Sequence, residues 1–149
     1  MTKVTTWVLV ADGVRGAIYA NRGPGQGLEE PAVQKFFGDK HPTREINADR
    51  PGRTFNSTGE QRHAKEPHTD AHRHAQQVLA HEIAKYLDHA VGRGEYDRLV
   101  VAAPPRTLGD LRAEFSARVQ AKLAGELNKD LTHFSAINLP EHFEAIVRL

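Results

Sequence analysis

A single α/β domain with a mixed five-stranded sheet is predicted by three features of this sequence. Short β-branched and apolar runs parted by turn residues open the chain, one long stretch has helical spacing, and strand-like and helix-like segments alternate thereafter. The first run, Thr5 to Ala11, ends at Asp12-Gly13, where both residues tolerate positive φ and so favour a hairpin turn. Gly16 to Ala20 is expected to return beside it. Asn21 through Gly27 holds the turn formers Gly23-Pro24-Gly25 and Gly27, and Val33 to Phe37 reads as a third strand. The opening is thus a three-stranded antiparallel meander.

From Gly38 to Pro67 neither a period of 2 nor one of 3.6 is sustained, and Pro, Gly, Asp, Arg and Thr are frequent. This predicts a long irregular loop at about 38–68; loops of about 30 residues are uncommon in compact domains unless functional or disordered. Between Thr69 and Val91, residues Ala71, Ala75, Val78, Leu79, Ile83, Tyr86, Leu87 and Ala90 recur at helical spacing, and Gly92 is the expected stop. Arg98 to Ala103 is short and apolar, as a strand covered on both faces would be. After Pro104-Pro105, Thr107 with Asp110 three residues later gives the capping-box pattern. The helix so opened is expected to carry the stripe Leu111, Phe115, Val119, Leu123 and Leu127. A fifth strand is predicted within Leu131 to Ile137, then a short C-terminal helix from Pro140 carrying Phe143, Ile146 and Val147. The predicted order is a β-β-β meander, the long loop, then α-β-α-β-α, with two right-handed crossovers and no internal repeat or linker.

Composition narrows the function classes. A chain of 149 residues buries roughly 68–70% of its unfolded surface, enough for one core. No run approaches the roughly 18 apolar residues of a membrane span, and the N-terminus moves almost directly into a strand without an export-signal pattern. A cytoplasmic location without membrane partners is therefore expected. Cysteine is absent, which excludes disulfides, thiolate nucleophiles and cysteine-ligated metals. Twenty Lys and Arg against nineteen Asp and Glu leave a net charge of +1, so any anion site must be local.

With the elements placed, the wording of several segments is informative. Trp7-Val8-Leu9-Val10-Ala11-Asp12-Gly13, the motif Asp49-Arg50-Pro51-Gly52-Arg53 with Phe55, Glu66-Pro67-His68, the long segment from Tyr96 to Arg112 around Pro104-Pro105-Arg106, and Lys129-Asp130-Leu131-Thr132 together resemble the bacterial host-attachment protein family. The resemblance spans essentially the whole chain. It implies a phenotype, attachment or cell adhesion, and no defined reaction. It also implies a ribonuclease-H-like fold similar to the middle domain of archaeal and eukaryotic peptide-chain release factors. In those factors the loop before the first long helix carries Gly-Gly-Gln; here the corresponding residues are Gly59-Glu60-Gln61. Glutamate adds negative charge where a tRNA end must approach and removes the backbone freedom of glycine, so intact release chemistry is not expected. Nor does the chain have room for a codon-reading domain.

The candidate site residues fall in two groups. At the exit of the central strand, Arg106 and Thr107 stand where a helix N-terminus offers unpaired N–H groups to an anion, and ligands in open α/β sheets favour the carboxyl ends of parallel strands. In the loop, Arg50, Arg53 and Arg62 are spaced to clamp a phosphate backbone, accompanied by Arg44 and Lys65, while Asp49, Glu66, His68 and Asp70 are assigned a loop-supporting role. Acidic residues in the same loop nearly cancel its charge, and the alternative reading is a loop held by its own Arg–carboxylate pairs. Seven of the nine histidines lie between His41 and His89. His81-Glu82 lacks the second histidine of a zinc-protease helix because Lys85 holds that position, and solvation explains the set without a metal. Asp12 suggests nuclease chemistry, yet no second and third acid falls at a helpful strand end, and no serine sits on an elbow motif. No catalytic residue, cofactor or metal is assigned. The leading expectation is a binding module for RNA, the ribosome or another polyanion; a regulatory factor acting through a protein partner and a small phosphoester-acting enzyme are the alternatives. Oligomeric state is not legible.

Overall fold

A computed structural model of the chain describes residues 3–38 and 61–149, with the backbone alone described for 61–69. Strand β1 (Thr6–Ala11) lies at the centre of a sheet ordered β3-β2-β1-β4-β5. It pairs antiparallel with β2 (Arg15–Asn21), which pairs antiparallel with β3 (Gln34–Phe37), and parallel with β4 (Arg98–Ala102). Edge strand β5 (Leu123–Leu127) runs parallel to β4. The expected mixed five-stranded sheet and opening meander are present.

The α-helices among the described residues lie on one face. Helix α1 (Gln61–Gly92) buries Leu79, Ile83 and Leu87 against Trp7, Leu9, Ile18, Leu99 and Val101 of the sheet. Alternation along β1 sends those odd-numbered residues to the helices, and burial of each large apolar side chain contributes about 1.5–3 kcal/mol. Trp7 stacks on Tyr96 with ring centroids 4.6 Å apart, and the Tyr96 hydroxyl donates to the Leu87 carbonyl at 2.9 Å. That bond satisfies a buried phenol whose burial pushes its pKa up. Helices α2 (Pro105–Glu114) and α3 (Ala117–Lys122) complete the layer through Leu111, Phe115 and Val119.

The opposite face, with Val8, Val10, Val100 and Ala102, is covered by the last 22 residues, 128–149. Their one regular element is the single 3-10 turn Pro140–Phe143; Leu131, Leu139, Phe143, Val147 and Leu149 supply the apolar contacts.

Four local expectations are corrected. The long helix after Pro105 ends at Glu114: Ser116 caps α3 by accepting from the Val119 N–H at 3.3 Å, and Leu123 and Leu127 belong to β5. The fifth strand therefore lies eight residues before its predicted start, and 131–137 is turn. A spacing of four puts Leu123 and Leu127 on one side of a strand as well as of a helix, so the stripe alone does not decide between them. The C-terminal helix is only a 3-10 turn. Helix α1 begins at Gln61, so the predicted loop does not extend to 68; proline costs a helix one hydrogen bond, and α1 runs through Pro67 nevertheless. Helix α1 does end at Gly92, as expected, and the turn beyond it closes on Gly94, at φ 73°, with Glu95 N–H donating to Ala90 and Gly94 N–H to Val91. This is the Schellman arrangement, whose left-handed position favours glycine, and Gly92 is not that residue.

Candidate functional site

The carboxyl ends of the three parallel strands β1, β4 and β5 lie side by side, and the Ala103 N–H just beyond β4 donates to the Leu127 carbonyl at 3.0 Å. Asp12 follows β1, Pro104 to Thr107 follow β4, and Asp130 and Thr132 follow β5.

At the middle exit, Pro104 occupies the N-cap position of α2 with extended backbone (φ −64°, ψ 162°), and Pro105 starts the helix. Proline suits that position because its ring presets φ and its missing N–H would be unpaired anyway. The helix thus starts two residues before Thr107, which is buried and caps nothing. Among the described residues no side chain caps the α2 N-terminus. Arg106 is exposed and forms no ion pair with a described residue. Asp110, the expected partner of Thr107 in a capping box, instead accepts two hydrogen bonds from Arg73 of α1, at 2.6 and 2.7 Å. Arg73 also donates to Gln76 at 3.0 Å, and Gln76 packs so closely over the β1–β2 turn that a Cβ at Gly13 would lie 3.0 Å from its amide nitrogen.

That turn is built by a side chain. Asp12 Oδ1 accepts from the Val14 and Arg15 N–H groups, both at 2.8 Å, and the Asp12 N–H donates to the Arg15 carbonyl at 2.9 Å. Gly13 does not take positive φ, so the hairpin rests on the aspartate rather than on left-handed backbone. Asp12 Oδ2 accepts from the Thr132 hydroxyl at 3.4 Å, and the same hydroxyl lies 2.5 Å from Asp130 Oδ1. Burial raises the Asp130 pKa, but bonds from the Thr132 hydroxyl and N–H, with the charges of His133 and Arg15, outweigh it and hold the carboxyl below its ordinary range. Next to them, an Arg15 terminal nitrogen sits 3.0 Å from His133 Nδ1.

A second acid therefore does reach the strand ends, contrary to the expectation from sequence. Asp130 was hidden by the misplaced fifth strand: ahead of a strand at 131–137 it sits at an amino end, whereas after β5 it sits at a carboxyl end. Both carboxylates are occupied by hydrogen bonds, and among the described residues no group of three or more His, Asp or Glu is placed to hold a metal ion. Arg73 carried no sequence signal beyond its place on the polar side of α1.

Of the predicted site residues, Arg106 and Thr107 stand at the α2 N-terminus, and Asp70 is exposed on α1 without an ion pair to a described residue. Asp49, Arg50 and Arg53 lie outside the described residues; Arg62, Glu66 and His68 lie on the described backbone of α1, with side chains outside the description. His81, expected to be solvated, contacts Glu114 at 2.8 Å. No helix among the described residues is long and apolar enough to cross a membrane.

A model of the family described as "Protein required for attachment to host cells" matches residues 7–143. No curated protein matches the chain. Among solved structures, the crystal structure of archaeal translation termination factor aRF1 is similar at 12% identity with a TM-score of 0.44, covering 89% of this chain and 32% of that one.

Proposed function

This chain belongs to the family of proteins required for attachment to host cells, and from that premise we propose that it is a non-enzymatic binding module for RNA or a similar polyanion. One observation carries the reading: at the carboxyl edge of three parallel strands, the N-terminus of α2 has no side-chain cap from a described residue and Arg106 beside it is exposed, with no ion pair to a described residue. Unpaired N–H groups and the helix dipole favour a phosphate there, and a guanidinium binds it bidentately. Thr107, being buried, would contribute its N–H and not its hydroxyl. The arginines of the preceding segment, Arg50, Arg53 and Arg62, would extend the contact along a phosphate backbone. Gly59-Glu60-Gln61 supplies no release chemistry in this reading.

The test is filter binding of the full chain to tRNA and to ribosomes at low salt, with heparin as a polyanion that is not RNA. Association is expected to weaken linearly in log salt, and Arg106→Ala to reduce the slope by about 1. Association indifferent to Arg106, Arg50 and Arg53 would remove this reading and leave a factor that acts through a protein partner. Competition by heparin as effective as by tRNA would widen the ligand to polyanions in general.

A further inference from the structure

The cover formed by residues 128–149 buries β1 and β4 but leaves the outer edge of the meander open. On β2, Ile18 and Ala20 pair with Leu9 and Trp7 on the helix side, so Arg15, Ala17 and Tyr19 belong to the other face. The antiparallel register then sets Phe37 of β3 opposite Arg15, and Lys35 opposite Ala17, on that same face. Ala17 and Tyr19 are only partly buried against the cover, Lys35 is exposed, and Phe37 is 57% exposed. Phe36, on the helix side, is buried with its ring edge-on to Tyr86. Of two adjacent phenylalanines, one fills the core and the sheet turns the other outward.

The charge of this patch has one sign. Neither β2 nor β3 contains an acidic residue. Lys35 forms no ion pair with a described residue. Arg15 lies 3.8 Å from Asp12 and 3.0 Å from His133 Nδ1, and its side chain remains 42% exposed. The nearest acids of the β2–β3 connection, Glu29 and Glu30, lie beyond the Tyr19 end, where Glu29 is bonded to Arg22 at 3.0 Å. Along the open face the order is therefore Phe37 beside Arg15, Lys35 beside the small Ala17, then Tyr19. Two rings are separated by a low floor with a cation at its side.

We infer that this open sheet face seats single-stranded RNA, with bases stacked on Phe37 and Tyr19 and the phosphates between them held by Lys35 and Arg15. An exposed ring offers a stacking surface to any base, and cations beside it follow the backbone. The two rings stand four residues apart along β2, about 14 Å. Neighbouring bases in a helical strand rise only about 3.4 Å, so a strand must splay its bases to use both rings, and a duplex keeps them inside. The choice of RNA rests on the reading of the carboxyl edge as a polyanion site, which the Arg15 end of the patch adjoins at the Asp12 turn. The face adds selectivity to that reading, because heparin brings charge without bases.

Fluorescence anisotropy of the full chain with a labelled, unstructured RNA of about 12 nucleotides, within the site size of such platforms, tests the face. Phe37→Leu, which keeps an apolar side chain but removes the ring, is expected to weaken binding about tenfold without changing the salt slope. Phe37→Trp should restore it. Lys35→Gln should lower the slope by about 0.7. Annealed to its complement, the same RNA should bind wild type and Phe37→Leu alike, and so should heparin. Equal single-strand affinity in wild type and Phe37→Leu would overturn the inference, and if Arg106→Ala still weakened binding, the carboxyl-edge reading would stand without it. Dependence on Phe37 but not on Arg106 would keep the face and remove the edge. Photocrosslinking of thiouridine-substituted RNA to the wild type needs no variant: crosslinks are expected in peptides containing β2 or β3, and crosslinks confined to other peptides would equally refute the assignment.

Discussion

The two faces of the sheet are closed by different means. On one, α1, α2 and α3 bring long-range apolar contacts through regular elements that satisfy their own backbone groups, and aromatic rings interlock as Trp7, Tyr86 and Tyr96. On the other, a segment with one 3-10 turn does the same job with five apolar anchors and a polar latch to the β1–β2 turn. Helices distribute the load, so that loss of one contact leaves the backbone hydrogen bonds in place. An irregular cover depends on each anchor, because little local structure survives without it. The regular and the irregular layer are thus back to back on shared strands.

Substitutions in each layer sharpen this contrast. The largest effect is expected from Trp7→Ala, which should cost about 3–5 kcal/mol in a single urea transition, since the ring is almost fully buried between helix and sheet. Phe143→Ala should cost about 3 kcal/mol, at the lower end of that range because an irregular cover can collapse into the space. Its exchange protection should fall in 128–149 before it falls in α1; simultaneous loss would contradict the difference drawn between the faces. Asp110→Asn, which weakens the Arg73 clasp between α1 and α2, is expected to cost about 1–2 kcal/mol by the same unfolding measurement.

Thr132→Val removes the hydroxyl shared by Asp12 and Asp130 and should cost about 0.5–1 kcal/mol. It should also let the Asp130 carboxyl rise toward 3.8, read from its carboxyl carbon shift. The smallest effect concerns acid alone. Hydrogen bonds from Arg118 and Ser116 lower the Asp88 pKa from 3.8 to about 2. A lowered folded-state value means that the stabilisation is present above 3.8 and disappears as the pH falls toward about 2. Asp88→Asn should therefore flatten that limb of Tm against pH.

The helix-covered face was largely legible in the sequence, and the irregular cover formed by 128–149 was not. Period-2 and period-3.6 patterns over 5–37 and 69–91 identify β1, β2, β3 and α1 because each element buries one side against one layer. The exit from β4 is marked by Pro104-Pro105, which no sheet interior tolerates. That cover has no period: Leu131, Leu139, Phe143, Val147 and Leu149 are chosen by where the chain crosses the sheet. The ambiguous spacing of Leu123 and Leu127 then displaced the fifth strand and with it the meaning of Asp130. The candidate site suffered similarly: Thr107 and Asp110 fit a cap pattern, but Pro105 starts the helix upstream and Arg73, remote in sequence, claims the aspartate.

Gly92 illustrates a last consequence. A Cβ there would meet the Arg118 guanidinium at 3.0 Å, the far end of a flexible side chain rather than backbone. The vacant space at position 92 is the groove through which Arg118 reaches Asp88. Any bulkier residue would be accommodated by swinging the arginine aside, sparing the helix its strain. A change that looks like an adjustment of helix propensity would register as an uncoupled charge about one turn from the end of the long helix.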